Sequence, residues 1–496
     1  MYKAYVTTLK NVHKHPNADR LQLGECFGNT VCISLDYTEG QIGVYFPTDG
    51  QLSAKFAEAN NLLRKKDENG NNIGGYMDPD KRNVTAIKLR GEKSDGLFLP
   101  ITCLEPFGDI STLKVGDTID VFNGHEICKK YIPRSNRRRG SHSEGNKTRK
   151  HKAPVAPLFM EHADTEQLAY NLGAFKAGDE IEITLKMHGT SQRTGYLPVL
   201  KGYKDNWTHL VRNWLWFQFN RITHKNDLYT TTDGFKHGKP IYDWGYVSGT
   251  RRTVLENFEG GYYGSNEFRE QHSKFFEGKL WKGETVYYEV VGFTDTGTPI
   301  MAECSNKKLN DPDFVKQYGD TTVFSYGCDP TGYTELPMKD TGLPYGAVIS
   351  VPQSDIYVYR MTMTNEDGDV VEYTPDFMRY RCEQMGAKTV PVLWKGTIPY
   401  TMDDIESPIP GHRIVLEEGE NAGEWIKDVA EQYYDGPDPI GKTHIREGVV
   451  VRIVNRPKFC AYKHKNFNFK VLENIIKDVA EAPDMEEAED IAKEEV

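Results

Sequence analysis

Ile181-Glu182-Ile183-Thr184-Leu185-Lys186-Met187-His188-Gly189-Thr190-Ser191 is an alternating run that closes on a Lys-x-x-Gly element. Apolar and polar residues at period two mark a strand with one buried face, so the run carries Lys186 to a strand end. A lysine amine in such a place can attack the α-phosphate of a nucleotide. A four-residue pattern with two free positions recurs by chance in 496 residues, so the reading depends on the partners that the rest of the chain supplies.

The chemistry sets demands. The amine must lose its proton, which requires burial or neighbouring cations. The triphosphate charge must be offset by basic groups and a divalent metal. The nucleoside must be held by ribose and base. Ser248-Gly249-Thr250-Arg251-Arg252-Thr253 supplies two cations after a glycine turn. Trp281 to Phe293 reads as a buried strand with Glu289 among Val and Tyr, where a carboxylate needs a partner such as a ribose hydroxyl. In Asp355-Ile356-Tyr357-Val358-Tyr359-Arg360, Tyr359 either presents its ring to a base or simply packs in a strand. Glu447 heads the β-branched run Gly448 to Ile453, placed to bind metal. Lys463 and Lys465, one residue apart on a strand, face the same side. They can reach one phosphate and depress the Lys186 amine, or they can guard an exposed edge.

Composition sets the frame. A chain of 496 residues has room for two or three domains. No apolar run approaches the ~20 residues that span a bilayer, and Met1 to Val6 opens like a strand, so no membrane association is expected. The eight cysteines are scattered without a C-x-x-C pair, which favours a reducing cytoplasm over a disulfide or zinc framework. A net charge of −11 excludes coating nucleic acid through bulk charge, so any positive patch must be local. One exists: from Lys129 to Lys152, ten of 24 residues are Lys or Arg, including Arg137, Arg138 and Arg139. The segment reads as a solvated linker or as a strap that holds phosphates. Asp478 to Val496 is the opposite, with nine acids and one lysine.

Residues 1–125 read as short strands separated by turns, which suggests a small barrel. His15-Pro16-Asn17-Ala18-Asp19-Arg20-Leu21 and Leu89-Arg90-Gly91-Glu92-Lys93-Ser94-Asp95-Gly96-Leu97 resemble the tRNA-binding OB-folds appended to some aminoacyl-tRNA synthetases. The resemblance makes Arg20, Lys88, Arg90 and Lys93 candidate phosphate contacts. Asn206 to Lys225 is an aromatic and basic insertion without a visible helical period, suited to packing on the core or to stacking bases. Residues 302–350 and 400–440 read as further surface insertions.

Taken in order, Lys-x-x-Gly, Arg-Arg, Glu-Val-Val-Gly, Tyr-Val-Tyr-Arg, Glu-Gly-Val-Val and Lys-x-Lys-Asn resemble the covalent nucleotidyltransferases, and among them the nick-sealing RNA ligases of the RNA ligase 2 group. The likeness runs over roughly residues 180–470. His188 stands where DNA ligases and capping enzymes carry Asp, and Arg360 where the nearest relatives tend to have Asp. The implied fold is α+β: an OB-fold β-barrel over 1–125, a basic linker over 126–154, and an acidic tail over 476–496. Between linker and tail, residues 155–475 would form an ATP-grasp-like nucleotidyltransferase domain of antiparallel sheets flanked by helices.

The resemblance implies ATP and Mg2+ (or Mn2+) as cofactors. Lys186 would be the nucleophile, with His188 and Gly189 in its loop. Arg252, with Arg251 beside it, would contact phosphates, Glu289 the ribose and Tyr359 the adenine. Glu447 would serve the metal, and Lys463 and Lys465 the α-phosphate. Arg20, Arg90, Lys93 and Arg137 to Arg139 would meet nucleic acid. The expected partner is RNA, nicked or structured and including tRNA, bound by a monomer. The alternatives are a capping guanylyltransferase, a DNA ligase, or an inactive tRNA-binding accessory protein.

Overall fold

A computed structural model describes residues 2–66, 72–131, 153–162, 165–223, 237–255, 258, 267–294, 299–301, 304–322, 333–335, 348–350, 354–400, 421–442 and 444–478. Arg137, Arg138 and Arg139, Lys225, most of the basic stretch, the acidic tail beyond Asp478 and much of the two later insertions lie outside the described residues.

The architecture is mixed α+β with almost wholly antiparallel sheets. Strand Ile42–Phe46 organises the N-terminal region, lying between Ala4–Thr8 and Leu97–Pro100 in a four-stranded sheet. Its side chains alternate between two cores: Val44 and Phe46 join Val6, Leu52 and Phe56, whereas Tyr45 joins Leu9, Val31 and Phe98. The expected barrel is not closed by hydrogen-bond ladders among the described residues. Strand Asn29–Ser34 belongs to a separate three-stranded sheet. It meets the Ala86–Leu89/Glu92–Asp95 hairpin through a side chain, Cys32 N donating to Ser94 Oγ at 3.0 Å.

The two stretches that carried the OB resemblance do meet. Asn17 N donates to His15 Nδ1 at 3.0 Å, which leaves Nε2 to donate to Leu89 O at 3.1 Å. Asn17 and Arg90 exchange hydrogen bonds across the hairpin tip. Arg90 (φ 47°) and Gly91 (φ 95°) both take positive φ there, as a two-residue hairpin turn matching strand twist requires.

Two larger sheets form the rest. A six-stranded sheet runs in the order 254–255, 239–249, 190–204, 284–292, 354–364 and 370–372. A five-stranded sheet runs 166–167, 460–465, 448–453, 180–185 and 392–397, parallel only at its first pair. Val286, Tyr288, Val290, Ile356 and Val358 of the first pack on helices Glu267–Phe275 and Pro375–Met385. Ile181, Ile183, Val449, Val451 and Ile453 of the second pack on helix Ala422–Glu431.

Several expectations need correcting. Residues 422–431 are core and not surface insertion, because Ile426 and Ala430 are fully buried under the second sheet. The Lys463/Lys465 strand is no exposed edge, since Lys463 pairs with Val450 on one side and Gln167 on the other. Residues Trp207–Thr223 form a helix. Among its described side chains, Trp207 and Trp214 are 73% and 59% exposed, while Asn213 is buried. Glu182, the polar partner in the alternating run, is buried as well, gripped by both Arg379 guanidinium nitrogens at 2.9 and 2.8 Å.

Within the first core, Glu284 takes Arg381 Nε at 2.8 Å and Nη2 at 2.7 Å, and the Tyr373 hydroxyl at 3.0 Å. Glu284 is fully buried, so removing its cation strands a carboxylate in the interior. Arg381→Met is expected to lower urea stability by about 3–5 kcal/mol. Adding Glu284→Leu in the same chain is expected to recover most of that loss.

Candidate active site

The chain passes from one large sheet to the other at Lys186 to Gly189. Strand Glu180–Leu185 is an interior strand of the five-stranded sheet, next to its edge, and Thr190–Lys204 is an interior strand of the six-stranded one. Lys186 N donates to Gly448 O at 3.0 Å, tying this crossover to the start of strand Gly448–Ile453. Gly189 lies so close to the neighbouring strand that a Cβ there would sit 2.4 Å from Val290 O and 2.9 Å from Glu289 Cγ. The glycine of Lys-x-x-Gly is thus a steric requirement for seating the Lys186–Gly189 loop beside Glu289.

Glu447 is the centre of the site. Its Oε1 lies 2.7 Å from Lys186 Nζ and 3.3 Å from Lys465 Nζ, and its Oε2 lies 3.3 Å from His188 Nδ1. Only 2% of its side chain is exposed. Burial alone would raise its pKa, yet the Lys186 and Lys465 ammoniums and His188 hold it well below the carboxylate range. Asn466 N fixes the backbone by donating to Glu447 O at 2.8 Å.

Lys463 and Lys465 share a strand face as their spacing predicts. Burial pushes the Lys463 ammonium down to about 8, helped by the charges of Lys465, Lys186, Arg251 and Lys130. Lys465 is held by both oxygens of Glu473, at 2.9 and 2.8 Å.

Arg251 and Arg252 occupy the tight turn after strand Lys239–Gly249, where Thr250 N donates to Thr253 O at 2.8 Å. The buried Arg193, its guanidinium over the Phe159 ring, supports the turn through Nε to Thr250 O at 2.9 Å. Of the two arginines, Arg251 is the one whose charge bears on Lys463.

On the six-stranded sheet, Glu289 pairs with Ser191 and Tyr357 and is the one residue of its strand that is not buried. Tyr357 is buried against Leu185 and Met187, and Tyr359 is half-exposed with its hydroxyl 3.0 Å from Ser191 Oγ. Tyr359 is therefore the ring available to a ligand. Arg360, the departure from Asp, serves the fold: it binds Glu372 and lies between the Tyr287 and Phe459 rings.

Lys186, His188, Gly189, Arg251, Arg252, Glu289, Tyr359, Glu447, Lys463 and Lys465 come from the crossover and the strands beside it. Among the nucleic-acid candidates, Arg20 is exposed at a turn and Arg90 at the hairpin tip. Lys93 lies over the Phe467 ring, 5.4 Å from its centre, and Lys88 pairs with Asp311 at 2.7 Å. Both therefore face the C-terminal half of the chain.

Three contributors were not foreseen. Glu473 carries no local signal, since only tertiary folding brings it to Lys465. His162, with its ring edge-on to Tyr359 and its Nδ1 3.1 Å from Arg360 Nη1, follows the basic stretch and has none either. Asn466 was legible as a helix N-cap, and it accepts from Phe469 N at 3.2 Å.

Glu447 Oε2 is buried with no well-aligned hydrogen-bond donor, which fits a carboxylate able to take a cation. Among the described residues no three His, Cys, Asp or Glu side chains cluster to hold a metal. A divalent ion at Glu447 would need phosphate oxygens and water to complete its shell, the usual habit of Mg2+.

No family model and no curated protein matches the chain. Among solved structures, a variant of the Naegleria gruberi RNA ligase with ATP and Mn is similar at 15% identity and a TM-score of 0.48, over 95% of this chain and 97% of that one. A variant with AMP and Mn gives 14% and 0.48 over 94% and 97%. The same ligase with PPi gives 15% and 0.47 over 93% and 96%.

An unfolded lysine keeps its proton to about 10.5, whereas folded Lys463 loses it near 8. Between those values the unfolded chain binds more protons, so this residue makes stability rise with pH across the window, its full penalty applying below it. The difference in unfolding free energy between wild type and Lys463→Met, measured from pH 7 to 10.5, should therefore narrow in that direction. A constant difference would contradict the assignment.

Proposed function

We propose that this chain is an ATP-dependent RNA ligase that joins 5′-phosphate and 3′-hydroxyl ends through a lysyl-AMP on Lys186. The observation that carries the reading is Glu447, one buried carboxylate in contact with Lys186, His188 and Lys465 at the crossover of the two sheets. On this reading residues 155–475 form the nucleotidyltransferase domain. Residues 1–125 form an RNA-binding module, joined to it by the basic linker 126–154. One chain supplies every group, which favours a monomer.

ATP lies with its base on Tyr359 and its ribose at Glu289. Arg251, Arg252, Lys463 and Lys465 meet its phosphates. A divalent cation, Mg2+ or Mn2+, held by Glu447 and phosphate oxygens, would neutralise charge on the triphosphate. Lys186 faces Glu447 as an ion pair, so its proton must leave before attack. The amine nitrogen then bonds to the α-phosphorus as the bond to pyrophosphate breaks. In the second step a 5′-phosphate oxygen of RNA attacks the AMP phosphorus, and the P–N bond breaks to return the Lys186 amine. In the third, a 3′-hydroxyl attacks the activated 5′-phosphate, losing its proton and expelling AMP. Lys463 and Lys465 offset the negative charge that develops at phosphorus.

Incubation with α-labelled ATP should give an acid-labile, alkali-stable phosphoramidate adduct that Lys186→Ala abolishes. Glu447→Ala should slow its formation by at least about 100-fold. An adduct with GTP alone would point to a capping enzyme, and none with either nucleotide to an accessory protein. Nicked duplexes with RNA or DNA at the 3′-hydroxyl side separate RNA from DNA sealing: efficient closure only with DNA there would overturn the RNA reading.

A further inference from the structure

Helix Phe467–Asp478 begins two residues after Lys465 and touches two regions at once. Toward the candidate site, Phe469 lies edge-on to His188 with ring centres 4.7 Å apart, and Glu473 holds Lys465. Toward the N-terminal region, Lys470 Nζ donates to Asp95 Oδ2 at 2.6 Å. The two side chains are 13% and 9% exposed. Around that pair, Ala86 joins Phe467, Phe469, Val471 and Leu472 in one apolar cluster, and Lys93 covers the Phe467 ring. Asp95 is itself anchored, because its carbonyl accepts the fully buried Tyr45 hydroxyl at 2.7 Å.

We infer that Asp95 and Lys470 are positioning residues for Lys465, so that the N-terminal region is a working part of the phosphate-binding apparatus. Residues 470 and 473 are neighbours one turn apart, so a displacement at one is passed to the other. The Asp95–Lys470 pair fixes where the helix sits, and the helix fixes where Glu473 draws the Lys465 ammonium. Stability does not explain the pair, since apolar residues of similar size commonly serve a buried position as well or better. An ion pair adds direction that an apolar contact lacks. The inference rests on the reading of Lys465 as a phosphate-binding cation.

The full-length chain is compared with Lys470→Met, Lys470→Arg, Asp95→Leu and the Asp95→Leu/Lys470→Met double variant. The readouts are the single-turnover rate and KM of adenylation, the melting temperature, and acetylation of Lys465 by acetic anhydride, followed by mass spectrometry. Lys470→Met should slow adenylation about tenfold with KM for ATP within about twofold, as expected for a group acting on the reacting phosphate. Lys470→Arg should keep most of the rate. The double variant should melt at or above the wild-type temperature and be no slower than either single variant, because both remove one interaction. Acetylation of Lys465 should rise severalfold in Lys470→Met. Wild-type rates in Lys470→Met, multiplying losses in the double variant, or a rate that follows melting temperature would each overturn the inference. The acetylation arm needs no nucleotide. If wild type forms no adduct, the functional reading fails while the Asp95–Lys470–Lys465 linkage is still decided.

Discussion

A carboxylate removed from water must be matched by positive charge or hydrogen-bond donors, and Glu447 meets that constraint with three partners drawn from two places in the chain. Lys186 comes from the end of strand Glu180–Leu185, His188 from the crossover, and Lys465 from the last strand of the same sheet. The two lysine ammoniums cannot leave without exposing Glu447 to the cost of an unpaired buried charge. The site is therefore held together by electrostatics internal to the chain. On the proposed function, an arriving triphosphate and cation would replace that internal arrangement: phosphates would compete for the lysines, and the cation for the carboxylate.

Much of the site was legible because it is local. The alternating run ending at Lys186, the β-branched run behind Glu447 and the period-two lysines are all single-strand patterns, and each occurs as a strand. What stayed hidden is what arises between elements. Glu473 reaches Lys465 only because the chain turns from strand to helix at Asn466. Helix Ala422–Glu431 escaped notice because its apolar residues lie beside a Gly-, Pro- and Asp-rich stretch that reads as surface. Helix Trp207–Thr223 was missed for another reason: it turns Asn213 inward and Trp207 and Trp214 outward, the reverse of the pattern by which a core helix is recognised. The barrel expected for residues 1–125 rested on many short strands, which the structure contains, but strand content alone does not decide whether ladders close.

Two groups of cations among the described residues of this acidic protein contrast with each other. Arg193, Arg269, Arg360 and Arg381 are buried, and their donors go to backbone carbonyls and internal acids. They stiffen the sheets that carry the site. Arg269, for example, donates to Ser191 O and Thr190 Oγ1, pinning the strand just after Gly189. Arg251, Lys465 and Lys186 instead lie close enough for their charges to act on Lys463. Residue type alone could not separate these roles, because guanidinium serves both equally well.

The connectivity at Lys186 also has a mechanical meaning. Lys186 lies in the connection between the two sheets, whereas the groups proposed for the nucleoside, Glu289 and Tyr359, ride on one, and Glu447, Lys463 and Lys465 ride on or beside the other. If the sheets rotate against each other about the crossover, Lys186 lies near the axis and moves least. Glu289 and Tyr359 on one side, and Lys463 and Lys465 on the other, would then move by larger amounts. On the proposed function, such a layout would let the protein open and close around a mononucleotide first and a polynucleotide end afterwards, while the Lys186 nitrogen stays nearly still.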